Sequence, residues 1–76
     1  YNSVYGGYRL INVAIGTGVT NPSAILEIVS TTKGVLFPRM TTVQRNAISP
    51  LVEGLHVYDL TTHSMWYYNA TDWVEY

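Results

Sequence analysis

Apolar and polar residues alternate in short runs along most of the chain. In residues 10–16, LINVAIG, Ile11, Val13 and Ile15 alternate with Asn12 and Ala14. That period of two predicts a half-buried strand. Residues 24–30, AILEIVS, predict a second strand, with Leu26 and Ile28 on one face and Ile25, Glu27 and Val29 on the other. The run holds a single charge, so both faces should be at least partly covered. The intervening GTGVTNPS is rich in turn residues, and Pro22 pushes Asn21 away from helix. Thr31-Thr32-Lys33-Gly34 then turns the chain.

The pattern changes after residue 34. Val35, Leu36 and Phe37 form a short extended piece ended by Pro38. Thr41 is placed to cap a helix, and Gln44 three residues later completes a capping-box pattern. The helix should run over about residues 42–48, and Ser49-Pro50 should end it. Val43, Ala47 and Ile48 make its apolar face, which turns Arg45 and Asn46 toward water or a neighbour. Residues 53–76 predict a β-meander with strands LHVYDL, SMWYY and WVEY, separated by loops of hairpin size.

The expected fold is therefore mainly β with one short helix, short strands leading into a C-terminal antiparallel meander. Residues 1–9, YNSVYGGYR, lack periodicity and read as an extended arm or linker. Residues 10–76 read as one small module. Residues 10–37 are shaft-like strands, 38–52 a joint containing the helix, and 53–76 the meander.

Composition adds a constraint on stability. A chain of 76 residues forms at most one domain, and such a domain buries only roughly 60% of its unfolded surface. There is no Cys, so neither a disulfide nor a thiolate-bound metal can staple it. Only 12% of residues are charged, against about 25% in soluble domains. A surface this poor in charge tends to self-associate, which predicts a homo-oligomer. The net charge of −1 argues against a nucleic-acid surface. No apolar run is long enough to span a bilayer, and no signal peptide is visible. Beginning at Tyr1, the chain reads as a segment of a longer polypeptide or as a processed one.

Candidate chemistry is sparse. His56, Asp59 and His63 invite a metal reading, but on a strand His56 and Asp59 point to opposite faces. Gly16-Thr17-Gly18 begins a GxGxxG, yet Asn21 stands at the third glycine and no dinucleotide-type helix follows. Nothing sets a nucleophile beside a base, so neither enzyme activity nor a cofactor is expected. Lys33, Arg39 and Arg45 form a modest basic cluster, suited either to an anionic glycan or to clamping a neighbouring chain. Trp66, Tyr68 and Trp73 could stack on a sugar, although such aromatics serve equally as core or interface. Asn69-Ala70-Thr71 is a glycosylation sequon.

One resemblance covers nearly everything after residue 11. Asn12-Val13, Ile15-Gly16-Thr17, Asn21-Pro22-Ser23-Ala24 and Leu26-Glu27 are followed by Lys33-Gly34 and Pro38-Arg39-Met40-Thr41. Then come Gln44-Arg45, Ala47-Ile48, Gly54-Leu55, Val57-Tyr58, Tyr68-Asn69, Thr71 and Trp73. As a set this resembles a module of phage and other viral tail or head fibres, also found in surface proteins of Bacteroidetes. Ala14 and Ala70 stand where Gly is usual, and Phe37 where Pro is common. Ala70 argues against a tight Asn-Gly turn there.

The resemblance implies an elongated, intertwined homotrimer, of the kind found upstream of a self-cleaving chaperone domain, of which these residues show no sign. It implies a structural or attachment role in a fibre on a virion surface or outside a cell. The alternatives are a carbohydrate-binding receptor tip and a subunit of a bacterial extracellular filament. The residues expected at the assembly interface are Ile11, Val13, Ile15, Leu26, Ile28, Leu36, Phe37, Arg39 and Arg45. Trp66, Tyr68 and Trp73 are the expected glycan contacts under the receptor-tip alternative.

Overall fold

In the computed structural model of the protein, residues 12–76 are described. Residue Ile11 and the expected N-terminal arm lie outside the described residues. The chain divides into two compact units, with the boundary between Gly34 and Val35.

The first unit is a two-stranded parallel ribbon of β1 (Val13–Ile15) and β2 (Leu26–Ile28). Val13 pairs with Leu26, Ala14 with Glu27 and Ile15 with Ile28. Parallel strands within one chain require a crossover, which here is made by residues 16–25 without a helix. Two local devices shape it. The Asn21 side chain accepts from the Ser23 N–H at 3.0 Å and its carbonyl accepts from the Ala24 N–H at 2.9 Å. The turn expected at Asn21-Pro22 is thus an Asx-type turn. Gly16 has φ +85°, and a Cβ there would come 2.0 Å from the Val29 carbonyl oxygen. Only glycine fits that approach. The turn at residues 31–34 is held by Ser30 Oγ, which accepts from the N–H groups of Thr32 and Lys33.

The second unit is a four-stranded sheet in the order β3-β4-β5-β6, with one short helix. The elements are β3 (Arg39–Met40), α1 (Thr42–Asn46), β4 (His56–Asp59), β5 (Ser64–Tyr68) and β6 (Trp73–Glu75). The last three form the expected antiparallel meander. β3 pairs parallel with β4, Arg39 opposite Tyr58 and Met40 opposite Asp59. Strand pairing begins after Pro38 rather than before it, since Pro38 has no N–H but its carbonyl accepts from Tyr58 at 2.9 Å. Residues 35–37 lead into β3 without joining the ladder.

The helix begins as its capping box predicts. Thr41 Oγ1 accepts from the Gln44 N–H at 3.2 Å, and Gln44 Oε1 accepts from the Thr41 N–H at 2.9 Å. It ends at Asn46, earlier than expected, and its orientation differs from the expected one. Val43 is 79% exposed while Arg45 is only 4% exposed. The buried side is the polar Thr42/Arg45 pair, three residues apart on one face.

The β5–β6 loop takes a different form from an Asn-Gly turn. Ala70 carries φ +84°, in the region that favours glycine. Asn69 offsets this by accepting from the N–H groups of Thr71 and Asp72 at 2.9 and 2.8 Å. No helix among the described residues is long and apolar enough to cross a membrane.

Gly16 gives the first prediction. Gly16→Ala should destabilise the protein by at least about 2 kcal/mol, because positive φ and a backbone clash act together. Thermal unfolding of the variant against the parent measures this, and an unchanged midpoint would refute the close approach.

Candidate assembly interface

Among the described residues only Val57 is a buried hydrophobic side chain. Large apolar side chains elsewhere remain open in the protomer. Where they lie follows from which faces the chain covers itself.

In the ribbon, alternation puts Val13, Ile15, Leu26 and Ile28 on one face and Ala14 and Glu27 on the other. The crossover contacts the second face, where a Glu27 carboxylate oxygen accepts from the Asn21 N–H. The first face is left as an apolar stripe, with Ile15, Leu26 and Ile28 all exposed. Four of the expected interface residues therefore lie side by side.

In the sheet, α1 closes one face through an ion pair that the sequence pattern did not reveal. Asp59 is 0% exposed and Arg45 4%. Arg45 Nε donates to Asp59 Oδ2 at 2.9 Å, and Thr42 Oγ1 donates to the same oxygen at 2.7 Å. Asp59 Oδ1 accepts from the N–H groups of Thr61 and Thr62 at 2.8 and 3.1 Å. Each carboxylate oxygen thus takes two donors. Burial pushes the Asp59 carboxyl up, but the bonds from Thr42, Arg45, Thr62 and Thr61 outweigh it. They lower it from 3.8 to about 2.

Arg45 was expected at a contact between copies. Its guanidinium is instead enclosed in its own protomer, because a buried carboxylate requires a charged partner. The guanidinium carbon also lies 3.9 Å from the Trp66 ring centre and 5.3 Å from that of Trp73. Both distances are within cation–π range. Tyr68 meets Trp73 edge to face, with ring centres 5.6 Å apart. The Trp66 indole N–H donates to Thr62 Oγ1 at 2.9 Å and Ser64 Oγ at 3.1 Å. The three aromatics proposed for sugar stacking are therefore brought together, but around Arg45, which occupies the near face of Trp66.

Among the described residues no helix covers the opposite face of the sheet. His56 stacks on Tyr67 with ring centres 5.8 Å apart, and Tyr76 packs against both. Beside them an open groove of about 290 Å³ is lined by apolar side chains that include Leu36 and Phe37, with Arg39 its one charge. These three expected interface residues share one surface. His56 and Asp59 are on opposite faces, as their spacing requires, and no acidic and histidine cluster suited to a metal occurs among the described residues.

Asp59 could have been found from the sequence by one signal. An Asp followed by Thr-Thr at a hairpin is an Asx-turn pattern, and Thr42 and Arg45 supply donors on one helical face. Recognising the pair requires knowing that α1 lies over β4, which is a tertiary fact.

Among the described residues, an apolar stripe, an open groove on the sheet and a single buried apolar side chain leave much apolar surface uncovered in the protomer. The family model described as a phage tail like trimerisation region matches residues 14–76. The chain belongs to this family, and is a structural, trimer-forming module of the phage tail type. No curated protein and no solved structure matches it significantly.

The ion pair and its aromatic roof give two predictions. Asp59 has a lowered folded pKa, so its contribution is complete above 3.8 and is lost as pH falls through about 2. The stability difference between the parent and Asp59→Asn should therefore shrink over that acid window. Chemical unfolding at several pH values reads it; a difference independent of pH would contradict the assignment. Trp66→Ala should cost about 2–3 kcal/mol by removing packing, two hydrogen bonds and the cation–π contact. Equilibrium unfolding measures that loss.

Proposed function

We propose that the chain is a structural and attachment module of a virion-associated trimeric fibre, and that it works by self-assembly rather than by catalysis. The observation that carries this reading is the ribbon's apolar stripe of Val13, Ile15, Leu26 and Ile28, in a chain of a trimerising family. A two-stranded ribbon is at best marginally stable in water. Three copies that turn their stripes toward one another bury them together and form a stiff segment of shaft. Attachment follows from the fibre as a whole, which holds its end away from the particle that carries it.

Catalysis plays no part in this reading. The most strongly perturbed carboxylate, Asp59, is saturated with donors and enclosed, so it is not poised to exchange a proton with a substrate. The low charge of the chain suits a surface that is largely covered by other copies.

Sedimentation equilibrium provides the test. The parent chain should have three times the mass of one chain at micromolar concentration. Ile28→Glu places a charge on the stripe and should shift the population strongly toward monomer. A parent protein that is folded and monomeric under those conditions would sink the proposal.

A further inference from the structure

The groove on the open face of the sheet has a feature that the ribbon lacks: one of its own walls projects from it. Leu36 lines the groove and is 76% exposed, and Val35 beside it is 52% exposed. Tyr58, Leu60 and Met65 also line the groove. Residues 35–37 belong to no strand, so no ladder hydrogen bonds hold them within the sheet. We propose that this groove is a second contact between copies, occupied by the Val35–Phe37 segment of a neighbouring copy close to the three-fold axis. The inference rests on the trimer reading above and assigns a contact surface in residues 35–76 that the ribbon does not supply.

The occupant is a copy of the chain because the family trimerises, which places two further copies at fixed positions around each protomer. A rotation axis brings each residue near it against its own equivalents. Apolar side chains tolerate that meeting, whereas like charges repel. The other side of the sheet is already filled by α1 and the Arg45–Asp59 pair. The groove is apolar except for Arg39, whose long side chain can lay its stem on apolar surface and extend its guanidinium outward. Leu36 is both the projecting residue and part of the wall. A neighbour's Leu36 entering the groove therefore meets its own equivalent, and the same contact repeats around a closed ring.

The absence of cysteine makes the contact directly testable in the full chain. Leu36→Cys introduces its sole thiol, and Val43→Cys places one on the exposed outer side of α1. In dilute trimer treated with a mild oxidant or a short bismaleimide, Leu36→Cys should yield a covalent dimer on a denaturing gel. Val43→Cys should not. A trimeric Leu36→Cys protein that fails to link, or equal linking at both positions, overturns the proposal. Leu36→Glu gives an independent reading, since so exposed a side chain contributes little to the fold of one protomer. It should weaken trimerisation by about tenfold or more with an unchanged far-ultraviolet spectrum. If Leu36→Glu leaves the trimer intact while Ile28→Glu dissociates it, the groove contact is wrong and the ribbon contact stands. If the parent is monomeric, the trimer reading itself fails.

Discussion

The geometry of residues 35–76 depends on one anion. The Asp59 carboxylate takes donors from α1 through Thr42 and Arg45, and from its own hairpin through the N–H groups of Thr61 and Thr62. A buried charge is costly unless it is paired and fully hydrogen-bonded, and here both conditions hold. Apolar residues of similar volume could match the pair in stability. They would not specify direction. The carboxylate requires its donors at set positions, so it fixes both where α1 sits over β4 and how the β4–β5 hairpin closes. Arg45 carries the constraint one layer outward, because a guanidinium held by Asp59 presents its face to Trp66.

That polar lock has a consequence for the apolar residues. With Thr42 and Arg45 facing inward, α1 turns Val43 out and adds almost no apolar core to the sheet. The protomer is thus organised by hydrogen bonds and ring packing more than by a hydrophobic interior. Its apolar surface stays available on the ribbon stripe and on the open sheet face. A small chain without disulfides that leaves such surfaces uncovered reaches ordinary stability by sharing its core with other copies.

Most local structure was legible in the sequence, and the reasons are local. The capping box at Thr41 and Gln44 needs only four residues to declare a helix start. The meander follows from period-two runs separated by short polar loops. The inward face of α1 was not legible. Reading Val43, Ala47 and Ile48 as the core side assumes that an apolar face seeks the interior, and a buried carboxylate on the sheet face beneath the helix reverses that preference. Ala70 argued against a tight Asn-Gly turn, and the loop takes another form, its positive φ held by Asn69, one residue earlier, rather than by a glycine. The ribbon was legible as two strands, but their parallel pairing depends on the path of residues 16–25, which no periodicity encodes.

The ribbon also shows why assembly and folding are linked in this chain. Its pairing spans three residues on each strand, too few to specify a register by hydrogen bonds alone. A slip of one residue along β2 would move Glu27 into the place of Leu26 or Ile28 and turn the stripe partly polar. In an isolated protomer such a slip exposes little that was not exposed already. In a trimer it would bury three unpaired carboxylates against apolar neighbours, at a large cost. In the proposed assembly the other copies would select the register that one chain specifies weakly, assisted by Gly16 and by the contact of Glu27 with Asn21. Stability of this segment would then be inseparable from protomer concentration, as in obligate oligomers generally. The low charge of the chain suits the same arrangement, since every charge placed near a three-fold axis would be met by two copies of itself.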